Sequence, residues 1–262
     1  MSILGFIGTG SMGGSLARAA ALAPENTLLL AKRHPEKARK LAEQIGGTVT
    51  DNAEALRRGD YVFIGVKPNM VSGVLTELLP VFDERSTPPV LVSMAAGVSI
   101  ARLRELTEER CPVIRILPNI AVSVGEGVIF YTGSEDLTQA QMDGFLHLLR
   151  FSGEFVPMEE ALFDAGSAVA GCGGAFLSLF LEGLADGGLA CGLPRRQAYR
   201  LAEQMVLGGA KWLLENDEIP AVLKDATCSP GGTSIRGVIA AEKGGLRSAA
   251  MEAVIAAYGG LD

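Results

Sequence analysis

At 262 residues, with 48% hydrophobic and 20% charged residues, the chain has room for one large or two ordinary domains and is not composed like a disordered segment. A net charge of −7 argues against nucleic acid or an anionic membrane as main partner, while leaving room for a local anion site. Four cysteines without a C-x-x-C pair and two histidines, His34 and His147, give no metal-site pattern, so reduced thiols in a cytoplasmic protein are expected.

Residues 3–7 read as a buried strand, followed by Gly8-Thr9-Gly10-Ser11-Met12-Gly13 and a helix-like segment over 11–23. The G-x-G-x-x-G spacing between strand and helix is a dinucleotide-binding arrangement. Gly8 allows the tight turn, Gly10 admits a pyrophosphate to the backbone, and the amides of Ser11, Met12 and Gly13 at the helix start offer the positive dipole end. A glycine-rich turn without a ligand is the plainer alternative. The uncharged runs 1–17 and 165–181 are both broken by glycines and short for a membrane span, and the first has no basic leader.

A strand over 27–31 leads into Lys32-Arg33-His34 and a helix over 35–45, punctuated by Pro35 and by Gly46-Gly47. An NAD site would usually place Asp or Glu here for the ribose hydroxyl. Lys32 and Arg33 suit the 2′-phosphate of NADP instead, although a solvated basic turn would look the same. His34 is expected at the surface without a chemical role.

Further strands are expected over 61–66, 90–94, 113–117 and 127–131, and helices over 52–57, 69–79 and 99–108, the alternation of a parallel sheet. Val66-Lys67-Pro68 and Ser93-Met94-Ala95-Ala96-Gly97 fall at carboxyl ends of strands, the edge where open α/β sheets bind ligands. Ala95 and Ala96 leave room for a nicotinamide ring.

From Glu159 onward the sequence is rich in Ala, Leu and Gly at helical spacing, with no convincing alternating strand. Leu177, Phe180, Leu181, Leu184 and Leu189 fall along one side of a helix, and Pro194 suits the first turn of another, running to about Leu214. Residues 1–157 are therefore read as a Rossmann-type NADP-binding domain of class α/β, and 158–262 as an all-helical dimerisation and substrate-binding domain. So small and aliphatic a bundle completes its core against a second subunit, so a homodimer is expected. Within it, Ser229-Pro230-Gly231-Gly232-Thr233-Ser234 can turn several N–H groups inward as a carboxylate nest, or simply cap a helix.

Taken together, Gly8 to Gly13, Val66-Lys67-Pro68, Ser93 to Gly97, Leu117-Pro118-Asn119, Gly192-Leu193-Pro194 and above all Ser229 to Ser234 make the chain resemble the pyrroline-5-carboxylate reductase family nearly end to end. The resemblance implies NADPH-dependent reduction of 1-pyrroline-5-carboxylate to proline, with NADH as a second donor left open, and dimers that assemble further. It puts the nicotinamide near Ala95 and Ala96, with Asn119 also on the cofactor side, and the adenosine end at Lys32, Arg33 and Asn52. The substrate carboxylate lies against Ser229, Gly231, Gly232 and Thr233, and one subunit's cofactor faces the other's loop. Ser234 is assigned to orient the ring nitrogen, directly or through a water. A cyclic imine can arrive protonated, so no strong acid is required.

Three departures bear on the substrate. Gly174 and Phe176 stand where the family usually has proline and tyrosine, and Ser234 replaces its second threonine. They leave open a six-membered imine acid as substrate. A catalytically silent NADP-binding sensor is the reading from another class. A β-hydroxyacid dehydrogenase would need a lysine in its interdomain helix, and residues 171–187 contain none.

Overall fold

The computed structural model describes residues 2–31 and 35–259. They form two compact units, one reaching Gly171 and the other starting at Cys172. The sequence boundary at 157/158 falls earlier. The intervening segment stays with the first unit because Phe163 is buried against Leu117 and Phe130 of the sheet.

The first unit runs β1 (Ser2–Ile7), α1 (Ser11–Ala20), β2 (Asn26–Ala31), α2 (Pro35–Ile45), β3 (Thr48–Thr50), α3 (Asn52–Arg58), β4 (Tyr61–Ile64), α4 (Pro68–Asp83), β5 (Val90–Ser93), α5 (Ile100–Leu106) and β6 (Val113–Pro118). A 3-10 turn (Ile120–Val124), β7 (Gly127–Gly133), α6 (Gln139–Leu148), β8 (Gly153–Pro157) and α7 (Phe163–Gly166) follow, and a π turn (Ser167–Gly171) ends it. The strands make one sheet in the order 3-2-1-4-5-6-7-8, parallel through β6, with β7 antiparallel to β6. The order reverses between β1 and β4, the crevice where doubly wound sheets hold a dinucleotide.

Alternation along the strands builds a core on each face. Leu4 and Phe6 of β1 face the side of α1, where Phe6 stacks on Phe63 of β4 at 4.5 Å between ring centroids. Ile7, Val62 and Ile64 face the side of α3 and α4. Helix α4 was expected to stop at Leu79, before Pro80. It continues to Asp83, because the turn beyond the proline buries Val81 and Phe82.

The second unit comprises α8 (Gly173–Ala190), α9 (Arg195–Asn216), α10 (Pro220–Thr227), α11 (Thr233–Lys243) and α12 (Leu246–Gly259). Pro194 stands just before α9 rather than in its first turn. Among the described residues, the only fully buried side chains here are Ala185, Ala198 and Ala202. Large apolar groups are left out instead, with Leu179 at 70% exposure and Leu214 at 83%. An apolar groove of about 700 Å³ runs past Phe176, Phe180, Leu184 and Leu246. The run Glu160–Ala190 is long and apolar enough, by length and composition, to cross a membrane, and little of it is buried in the single chain.

Candidate functional site

The glycine loop is shaped by contacts that no side chain could share. Gly8 takes φ +93°, donates its N–H to Ala31 O at 2.9 Å, and has no space for a Cβ, which would lie 2.8 Å from Val66 N. A Cβ on Gly13 would overlap Gly8 O, and one on Gly65 would lie 2.5 Å from the same oxygen. Helix α1 is thereby drawn against the ends of β1 and β4. Gly65 was not singled out by the sequence, since its partners lie far away along the chain.

Gly10 differs. A Cβ there would meet nothing within 4 Å, and Gly10 caps α1 without any side-chain hydrogen bond to the first amides. The cradle in front of Ser11, Met12 and Gly13 is therefore open and lined by N–H donors, which fits the pyrophosphate of a dinucleotide.

Two clefts flank this cradle. The first, of about 440 Å³, brings Gly8, Asn52 and Val66 together with Asp51, Asn69 and Glu77. Asp51 caps α3, accepting Glu54 N at 2.7 Å, which fixes Asn52 at the start of that helix. The second, of about 390 Å³, runs between α1 and α2 and is lined by Gly10, Ser11, Arg18, Lys37, Lys40 and Gln44. Lys32, Arg33 and His34 lie outside the described residues.

The other expected cofactor residues divide. Lys67 and Pro68 are exposed at the start of α4, where Pro68 occupies the first turn. Ala96 is exposed, but the methyl of Ala95 is buried, at 2% exposure, in the core beneath the sheet, so Ala95 can offer a ligand only its backbone. Its N–H meets Ser93 Oγ at 3.3 Å. Asn119 spends its side chain on the fold: Oδ1 accepts from Ala121 N and Val128 N, and Nδ2 donates to Ala170 O, each at 3.2 Å. That side chain ties β6 and β7 to the π turn, a structural duty that the motif did not announce.

In the second unit the loop at 229–234 joins α10 to α11. Ser229 O accepts Gly232 N at 3.0 Å in a tight turn, with Gly231 at φ +67°. Gly232 then caps α11 without a side-chain hydrogen bond, leaving Thr233 and Ser234 in the first turn with both side chains exposed. As at Gly10, uncapped helix amides stand open beside hydroxyls, the donor set a carboxylate uses. Of the departures, Gly174 sits in the first turn of α8 with open space around it, and Phe176 lines the apolar groove.

Comparison with known proteins finds separate family models for the N-terminal and C-terminal parts of the chain. Residues 160–260 match the family model described as pyrroline-5-carboxylate reductase dimerisation, and residues 3–97 match that of the coenzyme F420-dependent NADP oxidoreductases. The pyrroline-5-carboxylate reductase of Arabidopsis thaliana is 38% identical over 261 residues, covering 97% of this chain and 92% of the relative. Among solved structures, 1-pyrroline-5-carboxylate reductase from Streptococcus pyogenes superposes with a TM-score of 0.86 at 28% identity, covering 99% of this chain and 98% of that one. The Plasmodium falciparum pyrroline carboxylate reductase, solved with NADP bound, gives 0.85 at 27% identity, covering 99% and 97%.

Proposed function

The chain belongs to the pyrroline-5-carboxylate reductase family, and we propose on that premise that it reduces the C=N bond of 1-pyrroline-5-carboxylate to give proline, with NADPH as donor. The observation that carries this reading is the pairing, in one chain, of two helix N-termini without a side-chain cap, at Gly10 for a pyrophosphate and at Gly232 for a carboxylate. NADPH, when bound, supplies the hydride that adds to the imine carbon, while the C=N π pair goes to the nitrogen.

The protein's own task is to bind, orient and exclude water. The amides of Ser11, Met12 and Gly13 hold the pyrophosphate, with Lys32, Arg33 and Asn52 toward the adenosine end. The N–H of Thr233 at the start of α11, with the Ser229 hydroxyl, holds the substrate carboxylate, while the Gly232 N–H stays with Ser229 O and fixes the turn. The Ser234 hydroxyl orients the ring nitrogen, which arrives protonated, so the reaction proceeds without a buried acid.

A helical unit that buries three alanines among its described residues needs a partner. We read its apolar faces, including the groove at Phe176, as the contact between two copies, with such dimers assembling further and one copy's loop serving the other's cofactor. A monomer in light scattering at micromolar concentration would contradict this. We read the protein as cytoplasmic, a reading supported by four cysteines without a C-x-x-C pair or a regular disulfide spacing.

The test is the initial rate of NADPH oxidation with racemic 1-pyrroline-5-carboxylate, beside its six-membered analogue. Saturable turnover of the five-membered ring is expected. Turnover of the analogue alone would shift the substrate to the larger ring and implicate Gly174, Phe176 and Ser234. No turnover of either would leave an NADP-binding sensor.

A further inference from the structure

The cleft between α1 and α2 has a charge pattern unlike that of its neighbour. Ser11 and Arg18 are seven residues apart on α1, and Lys37, Lys40 and Gln44 recur at helical spacing on α2, so both stripes face one groove. Arg18 donates Nη2 to Gln44 Oε1 at 2.5 Å, which anchors the guanidinium without neutralising it.

Among the described residues no carboxylate lies within ion-pair distance of Arg18, Lys37 or Lys40, whereas Arg39 on the same helix pairs with Glu36 at 3.4 Å. The cleft on the other side of the glycine loop carries Asp51 and Glu77 and would repel an anion. In a chain of net charge −7, three cations lining one concavity beside an open helix N-terminus make a local anion site. Helix α2 follows β2, and the end of the second strand is where a doubly wound fold places the adenosine ribose.

We propose that Lys37 and Lys40, backed by Arg18, hold the 2′-phosphate of NADPH from the α1–α2 side. The preference for NADPH over NADH then resides in the faces of these two helices. The inference rests on the NADPH reading above and adds to it a set of specificity residues.

The test is the dissociation constant of each reduced cofactor, read by nicotinamide fluorescence on the full chain without substrate. Lys37→Gln/Lys40→Gln and Arg18→Gln suit it, because glutamine keeps helix propensity at these sites, and melting temperature reports that folding is intact. The double variant is expected to weaken NADPH about tenfold, leave NADH within about twofold, and flatten the salt dependence of NADPH binding. Unchanged NADPH affinity, or equal weakening of both cofactors, would overturn the assignment. So would variants that keep both affinities but lose calorimetric binding of inorganic phosphate, since the cleft would then serve free phosphate. Wild-type protein that binds no NADPH would instead sink the functional reading itself.

Discussion

The guanidinium of Arg115, at 5% exposure in β6, donates from Nη1 to Glu160 Oε1 at 2.8 Å. The same carboxylate oxygen accepts Ile100 N at 2.7 Å at the start of α5, and Arg115 lies 4.8 Å over the Phe163 ring. One acid thus joins β6, α5 and the segment after β8, while Arg115 Nε has no acceptor among the described residues. Glu160→Ala leaves a buried cation unpaired. Because the Glu160 side chain is 32% exposed, solvent screens part of the pair, and the expected loss is about 2 kcal/mol rather than that of a fully enclosed pair. Glu160→Gln, which keeps an acceptor for Ile100, should lose less. Urea unfolding at one fixed protein concentration compares them, and equal losses would show that the charge does not matter.

The two kinds of glycine in the first loop predict opposite phenotypes. Gly13→Ala forces a methyl onto Gly8 O and should cost roughly 1–3 kcal/mol of stability. The Cβ of Gly10→Val enters open space, so stability should fall by no more than the cost of a poorer helix cap, about 1 kcal/mol, while NADPH affinity falls by about tenfold or more. A Gly10→Val protein that binds NADPH normally would remove the pyrophosphate from that cradle.

Ser234 carries its role through a hydroxyl in the first turn of α11. Ser234→Ala should lower turnover roughly tenfold with the melting temperature unchanged, and Ser234→Thr, which restores the hydroxyl, should recover most of it. A fall of less than about twofold in Ser234→Ala would dismiss the assignment.

Burial pushes the Cys111 thiol up to about 12, against an ordinary value of 9.0. A raised folded value means that the thiol favours the native state fully below pH 9.0. That contribution is lost as pH rises through this value toward about 12. Cys111→Ala should therefore flatten the alkaline limb of stability against pH. At pH 8 a maleimide should reach exposed Cys191 in the native protein and Cys111 only after unfolding. Labelling of both at one rate would contradict this burial.

Sequence reasoning located what is local. The Gly8–Gly13 loop and the turn at 229–234 are readable because strand, glycine spacing and helix adjoin. It missed β3, whose three residues are too few for a period, and β8, which is short and ends at a proline. Helix α6 was overlooked although Thr138 and Gln141 form a legible capping box. Gly65, and the cleft that joins Arg18 to Lys37 and Lys40, depend on elements that become neighbours only on folding. At Asn119 the motif suggested a place beside the cofactor, and folding adds what spacing could not show, hydrogen bonds from its side chain to backbone groups of β7 and the π turn.

The scarcity of buried side chains in α8 to α12 also bears on how this sequence can change. In a two-fold assembly every substitution on the shared face occurs twice, once from each copy, and the two sites can touch. A tolerable mutation elsewhere becomes a doubled one there, with no spare interior to absorb it. Drift along that face is therefore constrained to swaps that fit their own mirror, so its apolar pattern should outlast much of the surrounding surface.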